Sequence, residues 1–533
     1  MTQSSGALDS RGLCARPRSD CGLVAGPHEN VNPSARPAGW MSAPHSKREQ
    51  AEHPILADDR DVERADAEIH TDDAQLLARA VEPAREGGWT SAGVGAERRD
   101  VRLGPRRMGA PGGDSRYNRR HVKCVATSFG SAGDFLPTVA VAAAMRRAGH
   151  DVTFVANPFY ERVIRGAGLA FVPCGSHVEV YDEVERNPHY LHPVHGLKAM
   201  WEDFGKSMVT ATYYATREAA RGADVVLAAN VAFSGIWAAA EHDIPSVLTT
   251  ATPIAWASRR GPMQLFDRAL PEWALPSVNG AARALANWVF GAELRSLART
   301  LGVSARDASF AGTEAMASLH LGLWSPRVRA GADGDPPQSV VCGFARGGDL
   351  GATSRELDPE LAAFLDAGAP PVVVGLGSVF SVGASELLEE IARACEMAGR
   401  RCLVVGHPSG TSRFSGDTLA VKYAPYHLVF PRAAAIVVHG GAGTTAEALR
   451  AGRPVLALPL AFDQFGVAWQ VERLGVGVKV SKSDRSRATL AKAIERATED
   501  EEIARRSAEL GVSLSSERDG AEAAVELIER LRP

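Results

Sequence analysis

The sequence predicts an α/β protein made of two doubly wound, Rossmann-like domains that face a central cleft. Three observations carry this expectation. Apolar runs alternate with helical stretches from His121 onward, and the alternation restarts after a Gly/Asp/Pro-rich passage from Arg329 to Gln338. The runs are also short, continuous and rich in Val, as expected of strands buried on both faces of a parallel sheet. A length of 533 residues suits two or three domains of ordinary size.

In the first series, Val122 to Ser128 reads as a buried strand followed by a turn containing Gly130 and Gly133. Pro137 is expected to open a helix that Gly149 ends, and Asp151 to Ala156 then completes a βαβ unit. Ala170 to Pro173, Val225 to Ala229 and Ser246 to Thr250 are further strands, with a helix over Gly196 to Arg221. These make an N-terminal domain over 121–330, while residues 338–533 form a C-terminal domain.

The second series is expected to start with Val340 to Gly343. It continues with strands at Val372 to Gly375, Cys402 to Val405, Leu419 to Tyr423, Ala435 to His439 and Val455 to Leu458. Helices are expected over Ser385 to Ala398, Thr444 to Ala451 and Gln464 to Leu474, and the last helix is free to return onto the N-terminal domain. Ligands of such open sheets bind at the carboxyl ends of the strands.

Residues 1–120 differ from the rest: 18 basic and 18 acidic residues, many Gly, Pro and Ser, and almost no apolar period. That composition reads as a disordered leader to which no function is assigned; Met108 is an alternative start shortly before the first strand. For the whole sequence, 59 Lys+Arg against 63 Asp+Glu leave a charge of -4, which speaks against a nucleic-acid partner. Seven cysteines without a Cys-x-x-Cys fit neither a disulfide framework nor a zinc ribbon, and a cytoplasmic setting is the resulting expectation. The longest apolar run, Val225 to Ala240, is interrupted by Asn230 and Ser234 and falls short of the ~20 residues that a membrane span needs.

The most informative segment runs from Val437 to Pro459: Val-Val-His-Gly-Gly-Ala-Gly-Thr-Thr-Ala-Glu-Ala-Leu-Arg-Ala-Gly-Arg-Pro-Val-Leu-Ala-Leu-Pro, followed by Asp463-Gln464. A strand, a glycine turn and a helix in succession aim free amide groups and the positive end of the helix dipole at whatever sits above the turn, which suits a diphosphate. Gly440, Gly441 and Gly443 let the backbone approach, and His439 and Thr444 can add hydrogen bonds. Taken alone, the glycines equally fit an ordinary βαβ turn, and Thr444-x-x-Glu447 equally fits a capping box.

The full spacing resembles the donor-binding signature of the UDP-glycosyltransferase superfamily with the GT-B fold. Tyr423-Ala-Pro-Tyr426-His-Leu-Val-Phe-Pro431 is similar to that family's base-contacting stretch. Phe129-Gly-Ser-Ala-Gly-Asp-Phe-Leu-Pro137, Gly149-His150 and Phe171-Val-Pro173 are similar to the bacterial branch containing rhamnosyltransferases and the sterol and antibiotic glycosyltransferases.

The resemblance covers about residues 121 to 533; it implies that 121–330 bind the acceptor and 338–533 the nucleotide sugar, and gives roles to individual residues. His439 and the amides around Gly441, Gly443, Thr444 and Thr445 would hold the diphosphate, Glu447 the ribose hydroxyls, and Asp463 and Gln464 the sugar. Ser378 would lie by the phosphates, and Tyr423 or Tyr426 against the base. Val467 stands where the family often has Asn, which leaves the donor sugar open.

Asp134 is the expected catalytic base, since an alcohol attacking an anomeric carbon is helped by a carboxylate that takes its proton; the bland alternative is a turn-ordering Asp. If that base fails, His177 to His195 is the next place to look. Asp333-Gly-Asp335 imitates a metal-binding Asp-x-Asp but lies in the linker, and His189, His192 and His195 are separated by prolines. No metal and no cofactor beyond the nucleotide-diphosphate sugar is therefore expected. Trp256 to Phe290, with Trp273 and Trp288, could line an apolar acceptor pocket, touch a membrane surface peripherally, or simply pack in the core.

Together these readings predict an inverting, metal-independent glycosyltransferase that moves a hexose from a UDP or dTDP sugar to a hydroxyl of a small hydrophobic lipid or natural product. The alternatives are an NAD-dependent dehydrogenase, whose G-x-G-x-x-G neither Gly130-Ser-Ala-Gly133 nor Gly375-Leu-Gly377 completes, and a catalytically inactive binding protein of the same fold.

Overall fold

The computed structural model describes residues 121–176, 187, 190, 195–256, 272–304, 308–346, 350, 356–377, 385–406, 412–413, 417–461 and 463–531. The expected leader, Ser378, His177, His189 and His192 lie outside them.

β1 (Lys123–Thr127), β2 (Asp151–Ala156), β3 (Ala170–Pro173), β4 (Val225–Ala229), β5 (Ser246–Thr250), β6 (Leu319–Gly322) and β7 (Ser339–Val341) form one sheet. Its order is β3-β2-β1-β4-β5-β6-β7, and all neighbours run parallel. The second sheet comprises β8 (Val372–Gly375), β9 (Cys402–Val405), β10 (Ser412–Arg413), β11 (Thr418–Val421), β12 (Ala435–Val438), β13 (Val455–Ala457) and β14 (Gly477–Lys479). Its order is β10-β11-β9-β8-β12-β13-β14, and among these strands only β10 is antiparallel. In each sheet the winding reverses beside the first strand, between β1 and β4 and between β8 and β12. A doubly wound sheet opens its crevice at that switch point.

Four helices build or brace the cleft: α1 (Ala132–Arg147), α2 (Ala442–Arg450), α3 (Gln464–Leu474) and α4 (Gly520–Arg530). α1 begins earlier than expected. Ser131 is its extended N-cap, and the Ser131 carbonyl already accepts from the Asp134 and Phe135 amides at 3.1 and 3.0 Å. Pro137 therefore sits inside the helix instead of opening it, at the cost of one backbone hydrogen bond. The expected helix over Gly196 to Arg221 is also modified: a π-helical stretch, Trp201–Gly205, separates His195–Met200 from Lys206–Ala219.

β7 corrects the expected boundary. The apolar run at Val340 reads as the start of the second domain, but it pairs with β6 in the first sheet, with Leu321 opposite Val340. Periodicity identifies a buried strand without saying which sheet receives it. The passage between domains comes after β7, and the Arg329 to Gln338 segment belongs to the first domain. There the buried Arg329 guanidinium pairs with Asp335, whose carboxylate also accepts from the Ala332 amide at 2.8 Å. This occupies half of the Asp-x-Asp imitation.

The chain crosses between the domains a second time at its end. The Gly520 amide donates to the Phe344 carbonyl at 3.0 Å, and the Arg346 amide donates to the Asp519 carboxylate at 3.1 Å. A Cβ at Gly520 would lie 2.0 Å from the Gly343 carbonyl oxygen, so the two passages touch backbone to backbone. α4 then packs on α1, placing Ala521, Ala524, Val525 and Ile528 in the core of the first domain. The buried His150 ring secures it: Nδ1 accepts from the Val122 amide at 3.3 Å, and Nε2 meets the Glu529 carboxylate at 3.0 Å.

Candidate active site

The candidate residues gather at the two switch points. In the second domain, β12 ends at Val438 and delivers His439 to the carboxyl edge of the sheet, followed by the turn Gly440–Gly441. Gly440 adopts φ +86°, and a Cβ there would meet the Gln464 carbonyl oxygen at 2.8 Å, because the turn lies against the start of α3. The His439 ring sits between two glycines. A Cβ at Gly377, just beyond β8, would lie 2.6 Å from its Cε1, and one at Gly441 would lie 2.3 Å from its Nε2. His439 is only 8% exposed, and burial holds its imidazole down at about 4. At neutral pH it is an uncharged hydrogen-bonding group.

Gly441 is the N-cap of α2, with no side-chain cap, and the Thr445 amide is the first to bond back to it, at 3.0 Å. Ala442, Gly443 and Thr444 thus occupy the first turn, where amide groups have no partner inside the helix. Gly443 is exposed and would have open space around a Cβ. Thr445 is buried, and its hydroxyl has no hydrogen-bond partner. Because the helix starts at Ala442 instead of Thr444, Thr444 cannot be an N-cap and the capping box does not form. Glu447 instead pairs with Arg450, a residue that no sequence motif singles out.

In the first domain, the carboxyl of Asp134 lies in the first turn of α1, where it accepts from the Ser131 hydroxyl at 3.1 Å. The turn before it is held by Tyr160, whose hydroxyl donates to the Gly130 carbonyl and whose ring stacks on Phe135 at 3.9 Å. Burial pushes the Asp134 carboxyl up to about 6, with Ser131 pulling it partly back. Across the cleft, burial pushes the Asp463 carboxyl up to about 7, with the negative charge of Asp134 as the next cause and the nearby Thr252 hydroxyl opposing. The structure therefore brings together Asp134 and Thr252 from one domain and Asp463 from the other. Ile254 seals the same contact, since a Cβ at Gly466 in α3 would lie 3.0 Å from its Cδ1. Thr252 is not among the residues expected from the sequence; a Thr just past a strand carries no distinguishing signal.

Other expected contacts are less open to a ligand. The Gln464 side-chain oxygen accepts from the Leu460 and Ala461 amides at 2.8 and 3.0 Å and so fixes the loop that presents Asp463. Tyr426 stacks on Phe430 at 4.3 Å, and its hydroxyl lies 2.9 Å from where a Gly375 Cβ would be. Burial raises the pKa of both Tyr426 and Tyr423, and Tyr423 is the second cause for Tyr426, so the two rings are neighbours. The aromatic stretch divides in two. Trp256 is buried edge-on to Trp324 at 4.6 Å, whereas Trp273 and Trp288 are 83% and 80% exposed. Among the described residues no cluster of His, Cys, Asp and Glu suits a metal, and no helix is long and apolar enough to cross a membrane.

Two Rossmann-like sheets, one presenting a glycine turn and the other a carboxyl at their switch points, have the arrangement of the GT-B class of glycosyltransferases. Residues 402–530 match the family model described as the C-terminal domain of erythromycin biosynthesis protein CIII-like proteins. Over 425 residues the sequence is 29% identical to the O-mycaminosyltylonolide 6-deoxyallosyltransferase of Streptomyces fradiae, covering 75% of this chain and 96% of that one. An uncharacterized glycosyltransferase of Mycobacterium bovis is 30% identical over 392 residues, covering 67% of this chain and 86% of the relative. Among solved structures, the glycosyltransferase of kitacinnamycin superposes with a TM-score of 0.59 at 19% identity, over 78% of this chain and all of that one. The chain belongs to the UDP-glycosyltransferase superfamily, on the branch of the antibiotic glycosyltransferases, and is an enzyme of that class. The dehydrogenase alternative falls with this.

Proposed function

We propose that the enzyme transfers a hexose from a UDP or dTDP sugar to a hydroxyl of a small hydrophobic lipid or natural product, by a single inverting displacement that needs no metal. The observation that carries this reading is the approach of Asp134 to Asp463 across the cleft, beside the glycine turn. Asp134 in its ionised form takes the proton of the acceptor hydroxyl as the oxygen attacks the anomeric carbon. The bond to the diphosphate breaks on the opposite face, and the departing charge is received by the first-turn amides of α2 and by His439. A buried neutral imidazole donates to a phosphate oxygen without first having to be charged. Asp463 hydrogen-bonds sugar hydroxyls, Glu447 the ribose, and Tyr423 the base. Transfer of a 6-deoxyallosyl group to O-mycaminosyltylonolide, as the name of the Streptomyces relative describes, supports the acceptor class.

The test is to incubate the enzyme with UDP and dTDP sugars and a panel of hydroxylated apolar acceptors, with and without chelator, and to read the anomeric configuration of the product. Inverted product formed equally well in chelator is expected. Retained configuration, or loss of transfer in chelator, overturns the mechanism.

A further inference from the structure

The Glu447 carboxylate is held in place from one side. Arg450, one turn further along α2, closes an ion pair on it through Nη2, and the two side chains are only 23% and 17% exposed. Arg450 is fixed in turn, since its guanidinium lies over the Phe344 ring at 5.6 Å. Nη1 of the same guanidinium is buried without a hydrogen-bond partner.

A surface pair three residues apart on a helix is ordinarily weak and mobile. Here aromatic packing beneath the arginine and partial burial of both groups restrict the pair to one arrangement. A glutamate side chain has several rotatable bonds, and presenting an oxygen to a ligand costs the freedom of each. A partner that is already ordered removes part of that cost before the ligand arrives.

Building on the assignment of Glu447 to the donor's ribose, we infer that Arg450 is a positioning residue. It pins one carboxylate oxygen of Glu447 so that the other is presented to the hydroxyls of the nucleotide's sugar, the 2′,3′ pair of a uridine or the 3′ hydroxyl of a thymidine nucleotide. Its anchor, Phe344, lies on the passage between the domains, where its carbonyl accepts from Gly520, so the ribose subsite is braced against the interdomain crossing.

The experiment titrates UDP and its 2′,3′-dideoxy form against the wild type, Glu447→Gln, Arg450→Leu, Arg450→Lys and the Glu447→Gln/Arg450→Leu double variant, with melting temperatures recorded for each. If only the thymidine nucleotide binds, dTDP and its 3′-deoxy form replace them. Arg450→Leu should weaken the hydroxyl-bearing nucleotide about tenfold, the scale of one charge-assisted hydrogen bond misaimed, and change the deoxy form less than about twofold. Glu447→Gln should show the same selectivity, and the double variant should bind no worse than Glu447→Gln. Arg450→Lys, which keeps the charge but loses the planar fork, should fall between and carries the test if the leucine variant does not fold. Equal weakening of both nucleotides by the Arg450 variants, or none, overturns the inference. If Glu447→Gln itself treats both nucleotides alike, the ribose assignment has failed instead.

Discussion

The carboxyls of Asp134 and Asp463, one from each domain, lie close enough across the cleft for the charge on one to raise the pKa of the other. Asp134 is the more acidic of the two and ionises first, so its charge is what Asp463 meets, and substituting Asp134 should lower the pKa of Asp463.

Stability should therefore depend on pH in an unusual direction. An unfolded aspartate titrates near 3.9, whereas Asp134 and Asp463 hold their protons to about 6 and about 7. Between those values the folded chain binds more protons than the unfolded one, so stability falls as pH rises through about 4 to 7 and stays low above. Asp134→Asn and Asp463→Asn should each melt a few degrees above the wild type at pH 8, with the gap closing toward pH 4. A gap that is the same at both pH values would show that the carboxyls carry no such penalty.

Asp134→Asn should lower turnover by roughly 10² or more while leaving donor affinity nearly unchanged, since the amide preserves the turn but cannot take a proton. In the wild type the rate at saturating donor should rise with pH and level off above about 6, as Asp134 ionises. Asp463 still holds its proton where Asp134 titrates, so Asp463→Asn should leave this acid limb in place. Survival of turnover within a few-fold in Asp134→Asn would return that residue to a turn-ordering role.

His439 and Gly441 should behave as one unit. His439→Ala is expected to cost about 1.5 to 3 kcal/mol of nucleotide-diphosphate binding. Gly441→Ala has an ordinary backbone angle, φ -63°, so its main effect is to push a methyl group into the space of the ring, 2.3 Å from Nε2. It should therefore weaken binding in the wild type by a similar amount and add little in the His439→Ala background. Additive losses in calorimetric titrations would separate the two residues.

α4 should be indispensable to the domain at the opposite end of the sequence. Ile528→Ala, at a side chain 2% exposed, should cost about 2 to 5 kcal/mol. The loss should appear as faster hydrogen exchange in β1 and β2, with β8 and β12 little changed. Uniform acceleration in both sheets would mean that α4 supports the molecule as a whole.

Much of the architecture is legible because strands buried on both faces leave a plain signal. Asp151–Ala156, Val225–Ala229, Val372–Gly375 and Cys402–Val405 fall where their apolar runs place them. The signal weakens for short strands near a sheet edge: Leu319–Gly322 contains a histidine, Gly477–Lys479 spans three residues, and neither is expected from its pattern. The glycine turn is visible as a motif, but the reason for Gly440, the start of α3 lying 2.8 Å from where its Cβ would be, is a tertiary fact. The pairing of Arg450 with Glu447 appears only in the folded helix, and the meeting of Asp134, Thr252 and Asp463 depends on two domains closing and has no one-dimensional trace.

The contact between Gly343 and Gly520 has a consequence for how the molecule is made. A chain that leaves its first domain after β7 and returns at Gly520 encloses the second domain as an uninterrupted insertion. On the ribosome that enclosed domain has all its strands available while the first is still missing a layer of its core, Ala521 to Ile528. Synthesis proceeds at roughly 5–20 residues per second and domains tend to fold as units during it. The part translated first is thus completed last, and until the final helix emerges the nascent polypeptide carries an uncovered apolar face on α1 that chaperones or premature aggregation can reach.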